Sequence, residues 1–197
     1  MSWPEPVTLT GRHASLVPLR PEHGEALSVA VADGGLWELW YTSVPTVAGM
    51  PAEIDRRLTL QSRGSMLPFT VLDSDGTPVG MTTYMNIDSG NRRVEIGSTW
   101  YARRVQRTGL NTECKRMLMQ HAFETLDCIA VEYRTSFLNQ PSRRAIERLG
   151  AKLDGVLRNH QRHSDGTLRD TCVYSITQTE WPAIKTHLQH KLAETGL

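Results

Sequence analysis

Apolar and polar residues alternate from Arg93 to Tyr101. Val94, Ile96, Ser98 and Trp100 stand against Glu95, Gly97, Thr99 and Tyr101, a period of two that predicts a strand. Beyond Gly109 the period lengthens. Leu110, Cys114, Met117, Leu118, His121, Ala122 and Leu126 fall on one helical stripe, with Glu113, Lys115, Arg116, Gln120 and Glu124 mostly off it. Ile129, Val131 and Tyr133 then alternate with Ala130, Glu132 and Arg134. Strand, helix and strand make a crossover unit with parallel strands. Upstream, Ala14–Leu19 reads as a strand, residues 26–31 and Ala52–Gln61 as helices, and Pro68–Leu72 and Val79–Tyr84 as strands joined by the turn Asp73-Ser74-Asp75-Gly76. Downstream, Asn139 caps a short helix ended by Gly150. Leu153–Arg158 and Thr171–Ile176 are strands joined across Ser164-Asp165-Gly166, and Thr179 caps a last helix with Pro182 in its first turn. Residues 1–11 read as an arm or a first short strand.

Between the central strand and its helix lies ARRVQRTGLNTE, with three arginines and no acid before Glu113. The helix that follows begins with N–H groups that have no intrahelical partner, at the positive end of its dipole. A phosphate or pyrophosphate is the natural occupant of such a loop. Neither GxGxxG nor a P-loop lysine is present.

The 197 residues allow one sizeable core, and no repeat, low-complexity run or linker divides them; residues 1–197 are expected to form a single domain. A net charge of +1 argues against nonspecific nucleic-acid binding. Cys114, Cys128 and Cys172 show no paired spacing and are expected to be reduced. There is no basic start followed by an apolar run and no run of about 18 apolar residues, so no signal peptide or membrane span is expected, and the expected location is cytoplasmic.

Gln106-Arg107-Thr108-Gly109-Leu110-Asn111 resembles the Q/R-x-x-G-x-G/A motif of the GNAT acyltransferases, with Asn111 in place of the last Gly or Ala. The resemblance continues through GLNTECKRMLMQHAFETL, FLNQPSRRAIERLGAKLDGVLR and DGTLRDTCVYSITQTEWPAIK, and is to the ribosomal-protein N-acetyltransferase branch. It implies a mixed, mostly antiparallel α/β sheet of about six to seven strands with helices on both faces, in agreement with the pattern above. It also implies acetyl-CoA as cosubstrate and direct acetyl transfer to a primary amine, on a protein N-terminus or a small molecule. Gln106 to Thr112 would take the pyrophosphate, and backbone groups of Thr99, Trp100 and Tyr101 the pantetheine arm. Asn139 and Arg144 would lie along the cofactor, and Arg103, Arg104, Arg107, Lys115, Arg116 and Arg143 are further candidates for its 3′-phosphate. Self-association into a homo-oligomer is left open.

Acyl transfer needs a neutral amine and a donor for the carbonyl oxygen, and can use an acid for the leaving thiolate. Glu95 is the candidate base, a carboxylate in the strand that feeds the phosphate loop; the alternative is an exposed glutamate paired with Arg93 or Arg134. Many GNAT members carry a tyrosine four residues before the helix-ending glycine, where this chain has Ile146. In the ribosomal-protein branch a serine after the cap asparagine is the substitute, which here is Ser142; the alternatives are a plain cap for Asn139 and a first-turn hydroxyl for Ser142. Trp37, Trp40 and Tyr41 follow a glycine pair, and either wall the amine site or plug a core gap. His160 and His163 have metal-like spacing without a third ligand, so no metal is expected. A non-catalytic acyl-CoA-binding or sensing domain, or a protein-interaction module, are the rival readings.

Overall fold

The computed structural model describes residues 3–163 and 165–194; Met1, Ser2 and Ser164 of the expected arm and turn lie outside them. In chain order the elements are β1 (Leu9–Thr10), β2 (Ala14–Pro18), α1 (Gly24–Ala32), α2 (Met50–Ser62), β3 (Met66–Asp73), β4 (Pro78–Asp88) and β5 (Arg93–Tyr101). Then come α3 (Leu110–Glu124), β6 (Ala130–Ser136), α4 (Gln140–Glu147), β7 (Lys152–Arg162), β8 (Leu168–Thr177) and α5 (Trp181–Glu194). The strands form one sheet of eight, ordered β1-β2-β3-β4-β5-β6-β8-β7, where about six or seven were expected. The extra strand is the two-residue β1, too short to show a period. Only β5 and β6 run parallel, as the crossover through α3 requires.

The two faces of the sheet carry different helices. Arg57 of α2 reaches Thr83 of β4, whereas the hydroxyl of the next residue, Tyr84, donates to the Leu118 carbonyl of α3. Successive strand residues point to opposite faces, so α1 and α2 lie on one face and α3 on the other. α5 joins α3 through Phe123 and Trp181, stacked with centroids 5.3 Å apart. α4 joins the same side: Arg148, just past its end, donates to Thr112 of α3 at 3.0 Å, and Arg143 to the Tyr174 hydroxyl of β8 at 2.9 Å. Asn139 caps α4 by accepting from the Ser142 N–H at 3.1 Å, and Gly150 closes it at φ +94°, where a Cβ would strike Ile184.

Two sequence patterns break for reasons the fold supplies. The alternation of β5 fails at Ser98, which takes φ +47°; beyond it the β4–β5 register shifts. Val94 and Ile96 therefore share the α3 face with Thr99 and Tyr101 rather than with Trp100. The stripe of α3 is wider than its apolar residues suggest, because Glu113 and Lys115 are buried as well. Glu113 turns its carboxylate onto the N–H groups of Arg12, His13 and Ala14 and so ties the β1–β2 turn to α3.

Candidate active site

β5 and β6 pair only over Arg93↔Ala130, Val94↔Val131 and Glu95↔Glu132. Beyond Glu95 they part, and the bulge at Ser98 lies at the mouth of the opening. Neither Ser98 nor Thr99 has a register partner on β4 or β6. The Ser98 carbonyl accepts from the buried Arg57 guanidinium at 3.0 Å, and Arg57 also donates to Thr83 at 2.8 Å and to Glu53 at 2.7 Å. On the other face the Thr99 hydroxyl accepts from the Lys115 ammonium at 2.8 Å and lies 2.8 Å from the Thr82 hydroxyl. Lys115 has no acidic partner among the described residues, and burial pulls its pKa down to about 7.

The strand runs through Trp100 and Tyr101 into a 3-10 turn at Arg103–Val105 and then the basic loop. Gln106 donates its amide to the Tyr101 carbonyl at 2.9 Å, so that side chain braces the loop. Arg107 takes φ +62° with an exposed side chain. The Thr108 hydroxyl donates to the Val105 carbonyl at 2.8 Å and accepts from the Leu110 N–H at 3.2 Å. Gly109 is the N-cap, and Asn111 and Thr112 stand in the first turn. Glu113, the first acid, faces away toward the β1–β2 turn, so no carboxylate of this segment opposes an anion. These features fit a pyrophosphate group.

The arginines divide. Arg104 pairs with Asp73 at 2.7 Å, and its N–H and that of Arg103 are held by Asp33 of the α1–α2 loop. Arg143 lies over the Phe137 ring and on Tyr174; Arg116 donates to Gln120. Lys115 is sealed in. Arg107 and Arg144 remain exposed. Arg148 was not singled out from the sequence, yet its contact with Thr112 sets a guanidinium against the first turn of α3. Its signal was weak: one arginine among several near a helix end.

Glu95 is buried on the α1/α2 face. Its Oε2 accepts from the Asn86 amide at 2.6 Å and lies 3.5 Å from Arg134 Nε. Burial raises its pKa, and Asn86 and Arg134 oppose that rise. Arg134 is thus a true neighbour, while Arg93 pairs with Glu132 instead. Arg169 of β8 shares this face and interacts with Glu95; its Nε is buried with no hydrogen-bond partner. Asn86 and Arg169 carry no motif that a single sequence reveals; the register of four strands brings them in.

Ser142 is half-buried in the first turn of α4, on the opposite face from Glu95, with its N–H on Asn139. Ile146 packs into the core. Burial pushes the Cys114 thiol up to about 12 and the Cys128 thiol up to about 11, so neither is poised as a nucleophile. The aromatic loop splits in two. Trp37 packs against the core, whereas Trp40 is 58% exposed and meets His163 of the β7–β8 turn edge-on at 5.5 Å and Tyr41 at 5.7 Å. His160 faces Thr171 at 3.1 Å, and no cluster of three or more His, Cys, Asp or Glu suited to a metal occurs among the described residues. Among them, too, no helix is long and apolar enough to cross a membrane.

A sheet parted beside a bulge, with a basic loop at the helix that follows, suits a long ligand that carries phosphate, and the sequence places the chain in a family. The chain belongs to the acetyltransferase (GNAT) domain family, whose profile matches residues 14–152. It is 33% identical over 111 residues to YdaF, a candidate ribosomal N-acetyltransferase of Bacillus subtilis; the match covers 56% of this chain and 60% of that relative's length. It is similar to the crystal structure of a GCN5-related N-acetyltransferase from Brucella melitensis, with TM-score 0.87 and 32% identity, covering 96% of this chain and 86% of the other. Mycobacterium smegmatis RimJ, solved in complex with CoA-disulfide, matches with TM-score 0.78 and 26% identity, covering 96% and 95%.

Proposed function

We propose that this chain transfers an acetyl group from acetyl-CoA to a primary amine, on a protein N-terminus or a small molecule, directly and without a covalent enzyme intermediate. The observation that carries this reading is the parting of β5 from β6 just beyond Glu95, between the basic loop and a buried carboxylate. The N–H groups of Gly109, Asn111 and Thr112 would hold the pyrophosphate, with Arg107, Arg144 and Arg148 the cations for the 3′-phosphate. The freed edge of β5, Thr99 to Tyr101, would pair with the pantetheine arm. Acetyl-CoA, when bound, supplies the acyl group as an activated thioester. Residues 1–197 would act as one domain, in keeping with a hydrophobic core that runs from Ala14 to Leu188.

Glu95 is the base. Its Oε2 is engaged by Asn86 and Arg134, which leaves Oε1 to take the proton of the incoming amine. A raised pKa makes that carboxylate a stronger base near neutrality. Ser142, in the first turn of α4, would serve the leaving thiolate, which can also depart unprotonated. The amine would enter over the α1/α2 face, past Trp40, Tyr41 and His163, and Trp37 would support that wall from the core. Arg134 and Arg169 line the same approach.

CoA and acetyl-CoA should raise the melting temperature, because a ligand that binds only the folded chain stabilises it by mass action. Gly109→Glu should abolish the shift by placing an anion at the helix N-terminus. No shift with millimolar CoA in the wild type would refute the reading. A shift without acetyl transfer to any of a broad panel of amines would favour a binding or sensing domain instead.

A further inference from the structure

Arg57 is a charged side chain only 2% exposed, and nothing in the phosphate loop or the amine wall requires it. Its three contacts converge on one place. Glu53 holds one edge of the guanidinium, Thr83 fixes it against β4, and the third donor goes to the Ser98 carbonyl at the bulge. Ser98 is a non-glycine residue at φ +47°, a conformation that persists only where the surroundings over-determine it. A guanidinium–carbonyl hydrogen bond at 3.0 Å is a charge-assisted hold of that kind.

The peptide unit is planar and trans, so the Thr99 N–H points opposite to the Ser98 carbonyl. The carbonyl points to Arg57, which Thr83 fixes against β4. The N–H therefore faces away from Arg57, and Thr99 has no register partner on β4 or β6. On the α3 face, Lys115 and Thr82 hold the Thr99 side chain and prevent the unit from rotating back.

We infer that Arg57 is a positioning residue: by holding the Ser98 carbonyl it aims the Thr99 N–H at the acyl carbonyl of the donor. The inference rests on the acetyltransferase reading. It assigns to a buried arginine of α2 the electrostatic preorganisation of a donor on β5. Preorganised donors act without reorganising as charge develops.

The test reads the bound carbonyl itself and needs no acceptor. Acetyl-CoA carrying carbon-13 at the thioester carbonyl is bound to the wild type, Arg57→Met, Arg57→Lys and Glu53→Gln. The isotope-edited infrared stretch is recorded for each, and affinity for acetyl-free CoA is measured in parallel. The wild type should lower the stretch relative to free acetyl-CoA. Arg57→Met should lose about half or more of that displacement, Arg57→Lys should recover part of it, and Glu53→Gln should lose least. CoA affinity should stay within about threefold throughout. If Arg57→Met does not fold, the graded loss in Arg57→Lys and Glu53→Gln decides. An equal displacement in wild type and variants, or a loss that only tracks falling CoA affinity, overturns the positioning role while leaving the acetyltransferase reading intact. A wild type that binds neither CoA nor acetyl-CoA overturns both.

Discussion

Glu95 and Lys115 are two buried ionisable groups on opposite faces of the same sheet, and they are buried differently. Glu95 sits on the α1/α2 face, with an amide and a guanidinium beside its Oε2. Lys115 is closed in under α3, with two threonine hydroxyls and no carboxylate among the described residues. Burial moves both toward neutrality, the acid up and the base down. In the proposed reading the first serves as a proton acceptor, and the second holds a strand in place through Thr82 and Thr99. Burial alone does not mark a catalytic group: the two are about equally covered, at 5% and 6% exposed, and differ only in the groups beside them.

The largest effect should come from removing the Glu95 carboxylate. Glu95→Gln keeps the shape and the contact with Asn86, and turnover should fall by about 10²–10⁴-fold with little change in CoA affinity. Glu95 works only when ionised. Because its pKa is raised, the wild-type rate should fall as pH drops through a value above the ordinary carboxylate range, and the variant should lack that limb. As pH rises the deficit should shrink, since more of the amine is already neutral. Parallel pH–rate profiles for the two proteins would remove Glu95 from the mechanism.

Lys115 should show itself in stability instead. Its pKa is about 7 in the folded chain against 10.5 in the unfolded one. Below about 7 both states are charged, and the folded state carries the whole cost of a buried ammonium. Between 7 and 10.5 the folded lysine sheds its proton first, so stability rises with pH and the cost is gone above that window. Relative to Lys115→Met, the wild type should therefore gain about 1.4 kcal/mol per pH unit at most across the window, a few kcal/mol in all. Denaturant unfolding of both proteins at several pH values measures this. A difference that stays flat from pH 7 to 10 would mean that the ammonium is solvated or otherwise paired.

The outline of the molecule was legible because it depends on local pattern. The β5–α3–β6 unit follows from a period of two, a glycine at a helix start and a second period of two, and the Asn139 cap and Gly150 stop lie where their chemistry places them. The site was legible only in part. Glu95 could be picked out as a carboxylate in a strand, and Arg134 as a neighbour. The bulge could not, since Ser98 is no glycine and the guanidinium that holds its carbonyl, that of Arg57, lies 41 positions earlier in the chain. Arg57, Asn86 and Arg169 look like ordinary polar residues of a helix and two strands until the register brings them together. Glu113 and Lys115 read as the solvated side of a helix because the turn and the threonines that cover them lie on distant strands.

The smallest effect on the fold should come from the aromatic loop, where an exposed tryptophan can be set against a buried one. Trp100 is 4% exposed in β5, and Trp40, in the α1–α2 loop, is 58% exposed. Trp100→Ala should cost about 3–5 kcal/mol of stability, as truncation of a buried tryptophan does. Trp40→Ala should cost under about 1 kcal/mol, because it gives up only an edge contact with Tyr41 and another with His163. If the α1/α2 face receives the amine, Trp40→Ala should raise KM for the acceptor while leaving CoA affinity as it was. Equal losses for both ligands, or a stability cost near that of Trp100→Ala, would place Trp40 in the packing rather than in the wall. An unchanged acceptor KM with unchanged stability would move the amine's approach elsewhere on that face, toward Arg134 and Arg169.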